Sequence, residues 1–223
     1  MDRQHSFVVG EFYHIYNRGV DKKNIFRTDG DRKHLQRLLY TRNSTERIDS
    51  DRVKGLPLRM IKRESCLTEV IAYCLMPNHL HLLLRESVEG GISAFMGKLG
   101  TAYAMFVNTK YERTGPLMCR PFRSKHVDND DYFRWVFAYI HLNPGSLLSE
   151  FSQKGSKSSS TDLDRFLREF AYSSFPDYVV GERDESAILT KNEDIHSLLR
   201  EARTIAEMVK VYNDMEAPHV FFN

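Results

Sequence analysis

Cys66-Leu67-Thr68-Glu69-Val70-Ile71-Ala72-Tyr73-Cys74-Leu75-Met76-Pro77-Asn78-His79-Leu80-His81-Leu82-Leu83-Leu84-Arg85-Glu86 is the stretch that decides the fold. Residues 66–76 and 79–86 are apolar runs parted by Pro77-Asn78, a turn dipeptide, and read as the two strands of a hairpin. Working outward, residues 7–17 are rich in β-branched and aromatic side chains and read as an earlier strand, and 118–127 as a later one. Between the first strand and the hairpin, residues 29–41 carry Leu35, Leu38 and Leu39 at helical spacing, with Asp29 placed to cap the start. After the hairpin, Gly90-Gly91 opens a helical pattern over 92–111, with Phe95, Leu99, Tyr103 and Phe106 on one side, and Thr114-Gly115-Pro116 ends it. Residues 130–142 form a third helical pattern, stopped by Pro144. Residues 43–65 are polar and basic and read as a loop or insertion. The order β-α-β-β-α-β-α predicts an α+β protein: a ferredoxin-like βαββαβ antiparallel sheet with two helices on one face. Strands one and three are central, and the additional helix covers the other face.

The composition is that of an ordinary globular chain, with 223 residues, 41% hydrophobic and 28% charged. No apolar run approaches the roughly 18–20 residues that cross a bilayer, and Met1-Asp2-Arg3-Gln4-His5 lacks the order of a signal peptide. Cys66, Cys74 and Cys119 are odd in number and have no Cys-x-x-Cys spacing. They predict neither a disulfide framework nor a cysteine zinc site, and suit a reducing cytoplasm. Residues 1–150 carry 23 Lys and Arg against 17 Asp and Glu, whereas 151–223 carry 9 against 13. The positive balance therefore sits with the first block, as it would if that block met a polyanion. Residues 152–161, rich in Ser, Gly and Lys, read as a flexible linker or loop. It separates a first domain, 1–151, from a largely helical extension, 162–223, in which 162–170 and 192–213 have helical patterns.

His79-Leu80-His81 is the first sign of chemistry. In a strand, residues i and i+2 share a face with Cβ atoms about 7 Å apart, so both imidazoles can converge on one ion while Leu80 points away. Two surface histidines on an edge strand are the competing reading. The third helix has a core stripe of Phe133, Val136, Phe137 and Ile140. Tyr139 and Asn143 lie together on its flank, four residues apart. Tyr132 shares that flank two turns earlier, about 10 Å along the axis. Two neutral imidazoles and an amide oxygen leave positions open for phosphate oxygens and water, which suits Mg²⁺ or Mn²⁺ without excluding Zn²⁺. Such an ion would assist a phenol, whose ordinary pKa is near 10, in attacking a phosphodiester. Tyr139 as a packed aromatic is the alternative. Activity is expected to fall below about pH 6 as the imidazoles protonate. Arg18, Arg120, Arg123 and Lys125 are candidates for contacts to phosphates, and His14, Tyr16 and Phe122 for stacking on bases. His126 and His141 read as surface histidines.

Three motifs carry a resemblance: Tyr13-His14-Ile15-Tyr16-Asn17-Arg18-Gly19, Met76-Pro77-Asn78-His79-Leu80-His81-Leu82-Leu83 and Tyr139-Ile140-His141-Leu142-Asn143-Pro144. Together they are similar to the single-tyrosine transposases of the HUH superfamily, and within it to the REP-associated tyrosine transposases, in the right order over about residues 7–180. Gly115-Pro116-Leu117 and Arg120-Pro121-Phe122-Arg123 belong to the same likeness. The resemblance implies that His79 and His81 hold a divalent metal, that Tyr139 is the nucleophile, and that Asn143 supplies a third polar ligand. It implies single-stranded DNA beside a hairpin as substrate, with a 5′-phosphotyrosine intermediate and a free 3′-hydroxyl. Met118-Cys119-Arg120-Pro121 departs from the relatives, which tend to have an aromatic residue and Gln there, and this bears on the target sequence. Such an enzyme is expected in the cytoplasm with the nucleoid, as a monomer or homodimer. A single-stranded nucleic-acid-binding protein of the same fold that does not cleave is the alternative, as is a phosphohydrolase in which Tyr139 only binds substrate.

Overall fold

The computed structural model of the chain describes residues 6–151, 160–200, 202 and 204–214. The segment 152–161, expected to be a linker, lies outside them except for its last two residues. Four strands, β1 (Phe12–Arg18), β2 (Thr68–Met76), β3 (His79–Glu86) and β4 (Arg123–Val127), form one antiparallel sheet in the order β2-β3-β1-β4. Strands one and three are central, as the ferredoxin-like order requires. Helices α1 (Asp29–Thr41) and α2 (Gly91–Lys110) cover one face, burying Leu35, Leu39, Phe95 and Leu99 against Ile15, Leu80, Leu82 and Leu84. Helix α3 (Asp130–Leu142) covers the other, with Phe133, Val136, Phe137 and Ile140 on Cys74, Met76 and Leu83. A bulge in β2 between Val70 and Ala72 resets its alternation, so that Ile71 and Ala72 both face the α3 side.

Element boundaries depart from expectation where the backbone has a local reason. The first strand begins at Phe12, because Gly10 adopts φ +89° and Glu11 N–H donates to the Val8 carbonyl, folding residues 8–11 into a turn. β4 begins at Arg123, because Pro121 has no N–H to give a ladder. Before it, the isolated Gly19–Met118 bridge, whose bonds include Cys119 N–H to the Arg18 carbonyl (2.8 Å), holds the segment beside the end of β1. Thr28, not Asp29, caps α1, and Asp31 Oδ2 accepts the N–H groups of Arg27 (2.8 Å) and Thr28 (3.0 Å).

Beyond α3, the chain forms α4 (Gly145–Phe151), α5 (Ser160–Glu169), α6 (Phe175–Val179), α7 (Glu193–Leu198) and α8 (Ile205–Asp214). The pattern over 192–213 is therefore two helices. Thr204 and Glu207 exchange side-chain to backbone bonds in a capping box that starts α8 anew. Leu167, Phe175, Ile195, Leu199 and Met208 join the same buried cluster as α3. The intervening segment lies along the free edge of β2: Leu75 N–H donates to the Tyr172 carbonyl, Ser174 N–H to Tyr73, and Thr190 N–H to Val70. The exposed backbone of an edge strand is thereby covered. Among the described residues, no helix is long and apolar enough to cross a membrane.

Candidate active site

The hairpin turn is tied down before the histidines emerge from it. Gly19 N–H donates to the Asn78 carbonyl (2.8 Å), and Ile25 N–H to the Pro77 carbonyl (2.9 Å). A Cβ at Gly19 would collide with the Lys23 carbonyl oxygen, so only glycine allows this close approach. From the turn, His79 and His81 project to one face of β3 with ring centroids 5.0 Å apart, while Leu80 enters the α1/α2 core. Register places Arg18 of β1 opposite His79 and Tyr16 opposite His81. The β1–β4 register then sets Arg123 beside Tyr16 and Lys125 beside His14 on that same face.

Helix α3 brings the phenol. The Tyr139 ring stacks on Trp135 (5.2 Å, 7°) and stands edge-on to His81 (5.1 Å, 85°) and to His14 (5.8 Å). Asn143, one turn further, hydrogen-bonds Tyr139 and puts its Oδ1 3.4 Å from His79 Nε2. His79, His81, Tyr139 and Asn143 therefore meet at one place. Burial holds the Tyr139 phenol above its ordinary value, and the Asn143 hydrogen bond pulls the other way. Burial also lowers His79, where Arg18 adds to the effect and Asn143 opposes it, and lowers His81 further, with His14 and His79 adding. Both imidazoles are neutral at pH 7, the form that binds a cation.

Among the described residues, no group of three or more His, Cys, Asp or Glu side chains gathers as a metal site. The donor set is instead two imidazoles and an amide, and its chemistry fits a divalent cation. Asn78 Nδ2 donates to the Lys22 carbonyl (3.2 Å), which leaves Asn78 Oδ1 to accept from His79 Nδ1 at 2.6 Å. His79 Nε2 therefore carries a lone pair, and it faces the oxygen of Asn143. Neighbouring ligands of an octahedral ion with bonds of about 2.1 Å lie about 3 Å apart, near the spacing found here.

The remaining predicted residues divide between the two faces of the sheet. Arg18, Arg123 and Lys125 flank the Tyr139 face, Lys125 with its ammonium 4.8 Å over the Tyr132 ring. Tyr132 itself is buried and packs on Trp135. Phe122 packs with the α1/α2 core, and with Arg120 it lines a groove of 930 Å³ bounded by α2, so these two stand apart from the phenol. Tyr16 is buried against His14 and His81 and presents no open face to a base in this conformation. His14, expected to stack on bases, is wholly buried and bonded to His81 instead. His141, expected at the surface, is wholly buried with Nε2 2.7 Å from Ser174 Oγ, because the segment after α5 packs over it. His126 is exposed beside Glu11. Sequence reasoning missed the parts of His14 and Asn78 in this arrangement. Alternation places His14, Tyr16 and Arg18 on one face of a strand, but only cross-strand register sets that face against His81.

A ferredoxin-like sheet with a His-x-His strand at its centre and a tyrosine-bearing helix across that face defines the HUH class of proteins. The family profile described as "Transposase IS200 like" matches residues 12–143, more than half of the chain, and the chain belongs to this family. No curated protein matches it. Among solved structures, it is similar to that of a REP-associated tyrosine transposase bound to a REP hairpin, with 12% identity, a TM-score of 0.47, and 86% of this chain and 92% of the other covered.

Proposed function

We propose that this transposase cleaves and rejoins single-stranded DNA beside a hairpin through a 5′-phosphotyrosine on Tyr139. Mg²⁺ or Mn²⁺ is the cofactor, with His79, His81 and Asn143 as its ligands. The observation that carries the reading is the meeting of four side chains from two distant segments: the Tyr139 ring 5.1 Å from His81, and Asn143 Oδ1 3.4 Å from His79 Nε2. When bound, the cation polarises the scissile phosphate and offsets the charge that develops on it. Tyr139 Oη attacks phosphorus, the bond from phosphorus to the 3′ oxygen breaks, and the phenol's proton ends on that departing oxygen. A different 3′-hydroxyl reverses the step, restoring the phenol and joining a new strand. The stack on Trp135 and the bond to Asn143 hold the ring for in-line attack, and Arg18, Arg123 and Lys125 on the same face receive neighbouring phosphates.

Residues 1–151 hold the whole set, and helices α5 to α8 pack in the same core as α3. One copy carries every proposed catalytic group, which suits a monomer and equally a homodimer with two sites. A DNA substrate places the protein with the nucleoid in the cytoplasm.

The test is incubation with 5′- and 3′-labelled hairpin single strands and Mg²⁺ or Mn²⁺, resolved under denaturing conditions. The 3′-labelled fragment should migrate with the protein, and the 5′-labelled fragment should end in a free hydroxyl. Tyr139→Phe keeps the ring and should abolish both products while hairpin binding persists. His79→Ala, His81→Ala or a chelator should abolish them too. Cutting by the Phe variant would move the nucleophile elsewhere, with Tyr132 next to test, and binding without any adduct would favour the non-cleaving alternative.

A further inference from the structure

We infer that His14 is a positioning residue for His81: it accepts the His81 Nδ1 proton and so presents the His81 Nε2 lone pair to a divalent cation. The inference rests on the proposed role of His81 as a ligand. His14 Nε2 and His81 Nδ1 are 3.0 Å apart, and both side chains are wholly buried. Wholly buried, each ring takes the neutral form, because burial disfavours the charged imidazolium. A bond between two neutral imidazoles has two forms, because each ring has one proton and one lone pair. If His14 donates, His81 spends its Nδ1 lone pair in the bond and carries its proton on Nε2, leaving no donor for an ion. If His81 donates, its Nε2 lone pair is available.

The second form matches what Asn78 imposes on His79, where an anchored carbonyl oxygen already holds the Nδ1 proton. The two histidines then have matching tautomers, each set by a partner outside the ligand set, the usual arrangement around a bound metal. His14 suits this role because its strand is central. It pairs with Leu83 on one side and Lys125 on the other, so its ring is carried by backbone fixed from both edges.

Two measurements on the full chain test this. Long-range ¹H–¹⁵N NMR of the metal-free protein should show His81 protonated at Nδ1 and bare at Nε2, whereas a proton on His81 Nε2 overturns the inference. Titration calorimetry with Mn²⁺ then compares His14→Gln, which keeps an acceptor, with His14→Phe, which keeps only bulk. The Phe variant should bind about 10- to 100-fold more weakly, and the Gln variant close to wild type. Equal loss in both variants would mean a packing role only and overturns the inference. Wild-type affinity in His14→Phe, with binding lost in His81→Ala, also overturns it while the ligand assignment stands. Wild-type affinity in His81→Ala overturns the ligand assignment itself. Should His14→Phe fail to fold, the wild-type NMR result still decides.

Discussion

Burial sets the chemistry of single residues here, and it does so with a definite sign. His79 and His81 lie below the ordinary imidazole value of 6.5 because their charged forms lose water in the site. The acid limb of activity should therefore have its midpoint below 6.5, and a rate profile over pH whose midpoint lies at or above 6.5 would contradict imidazole ligation from this buried position. Stability follows the same logic at His14 and His141, both lowered to about 3, chiefly by burial. A histidine depressed in the folded state contributes stability that is complete above about 6.5 and is lost as pH falls toward the folded value. With a slope that approaches about 1.4 kcal/mol per unit for each only below 6.5, these two remove about 3 kcal/mol between pH 6.5 and pH 5. Urea unfolding at several pH values checks this, and a flat stability over that range contradicts it. Arg18 and Arg123 belong to the same scale. Replacing either with Ala should lower the slope of log affinity for single-stranded DNA against log salt by about 0.7, as loss of one phosphate contact does. Of the proposed site residues, His79, His81, Tyr139 and Asn143 stand out as candidates from type and spacing, and the family resemblance supplies their roles. His14 and Asn78 do not, because neither bears its role within its own segment.

At the scale of elements, α1 shows how a cap can be more than a local signal. Burial opposes ionisation of Asp31, but Lys110 at 2.7 Å, the Arg27 and Thr28 amides and the Tyr111 hydroxyl outweigh it and hold the carboxyl at about 2. Asp31 thus joins the start of α1 to the end of α2. Its stability contribution is present above its ordinary value of 3.8 and is lost as pH falls toward 2. Asp31→Asn keeps the shape, removes the charge and should cost about 3 kcal/mol, read by denaturant unfolding at neutral pH. A loss under about 1 kcal/mol would mean that the Lys110 pair contributes little. The sequence reading put α1 and α3 on their observed residues, since leucine and aromatic periodicity and a terminal Pro are local signals. It missed the turn at Gly10, the late start of β4 and the break before α8. Those depend on a single glycine conformation, a single missing N–H and a capping box inside an apolar pattern.

For the whole molecule, the site is the product of two cores on opposite faces of one sheet. The face behind α3 is completed by α5, α6, α7 and α8, and Trp135 is buried where α8 crosses, its ring stacked with Tyr212 at 5.8 Å. Ile195→Ala should therefore destabilise the entire chain by about 3 kcal/mol in one transition, followed by the fluorescence of Trp135, the only tryptophan. A separate early transition that leaves Trp135 emission unchanged would show that the C-terminal helices melt on their own. By itself, the order of residues determined the element types, the ferredoxin-like topology and the motifs that mark the family, because propensity, periodicity and turn residues act over a few neighbours. Only the tertiary structure decided which histidine pairs with which, which arginines share the phenol's face, and that His141 and Trp135 lie inside. Cross-strand register and the wrapping of a distant segment are long-range contacts, and no local pattern encodes them.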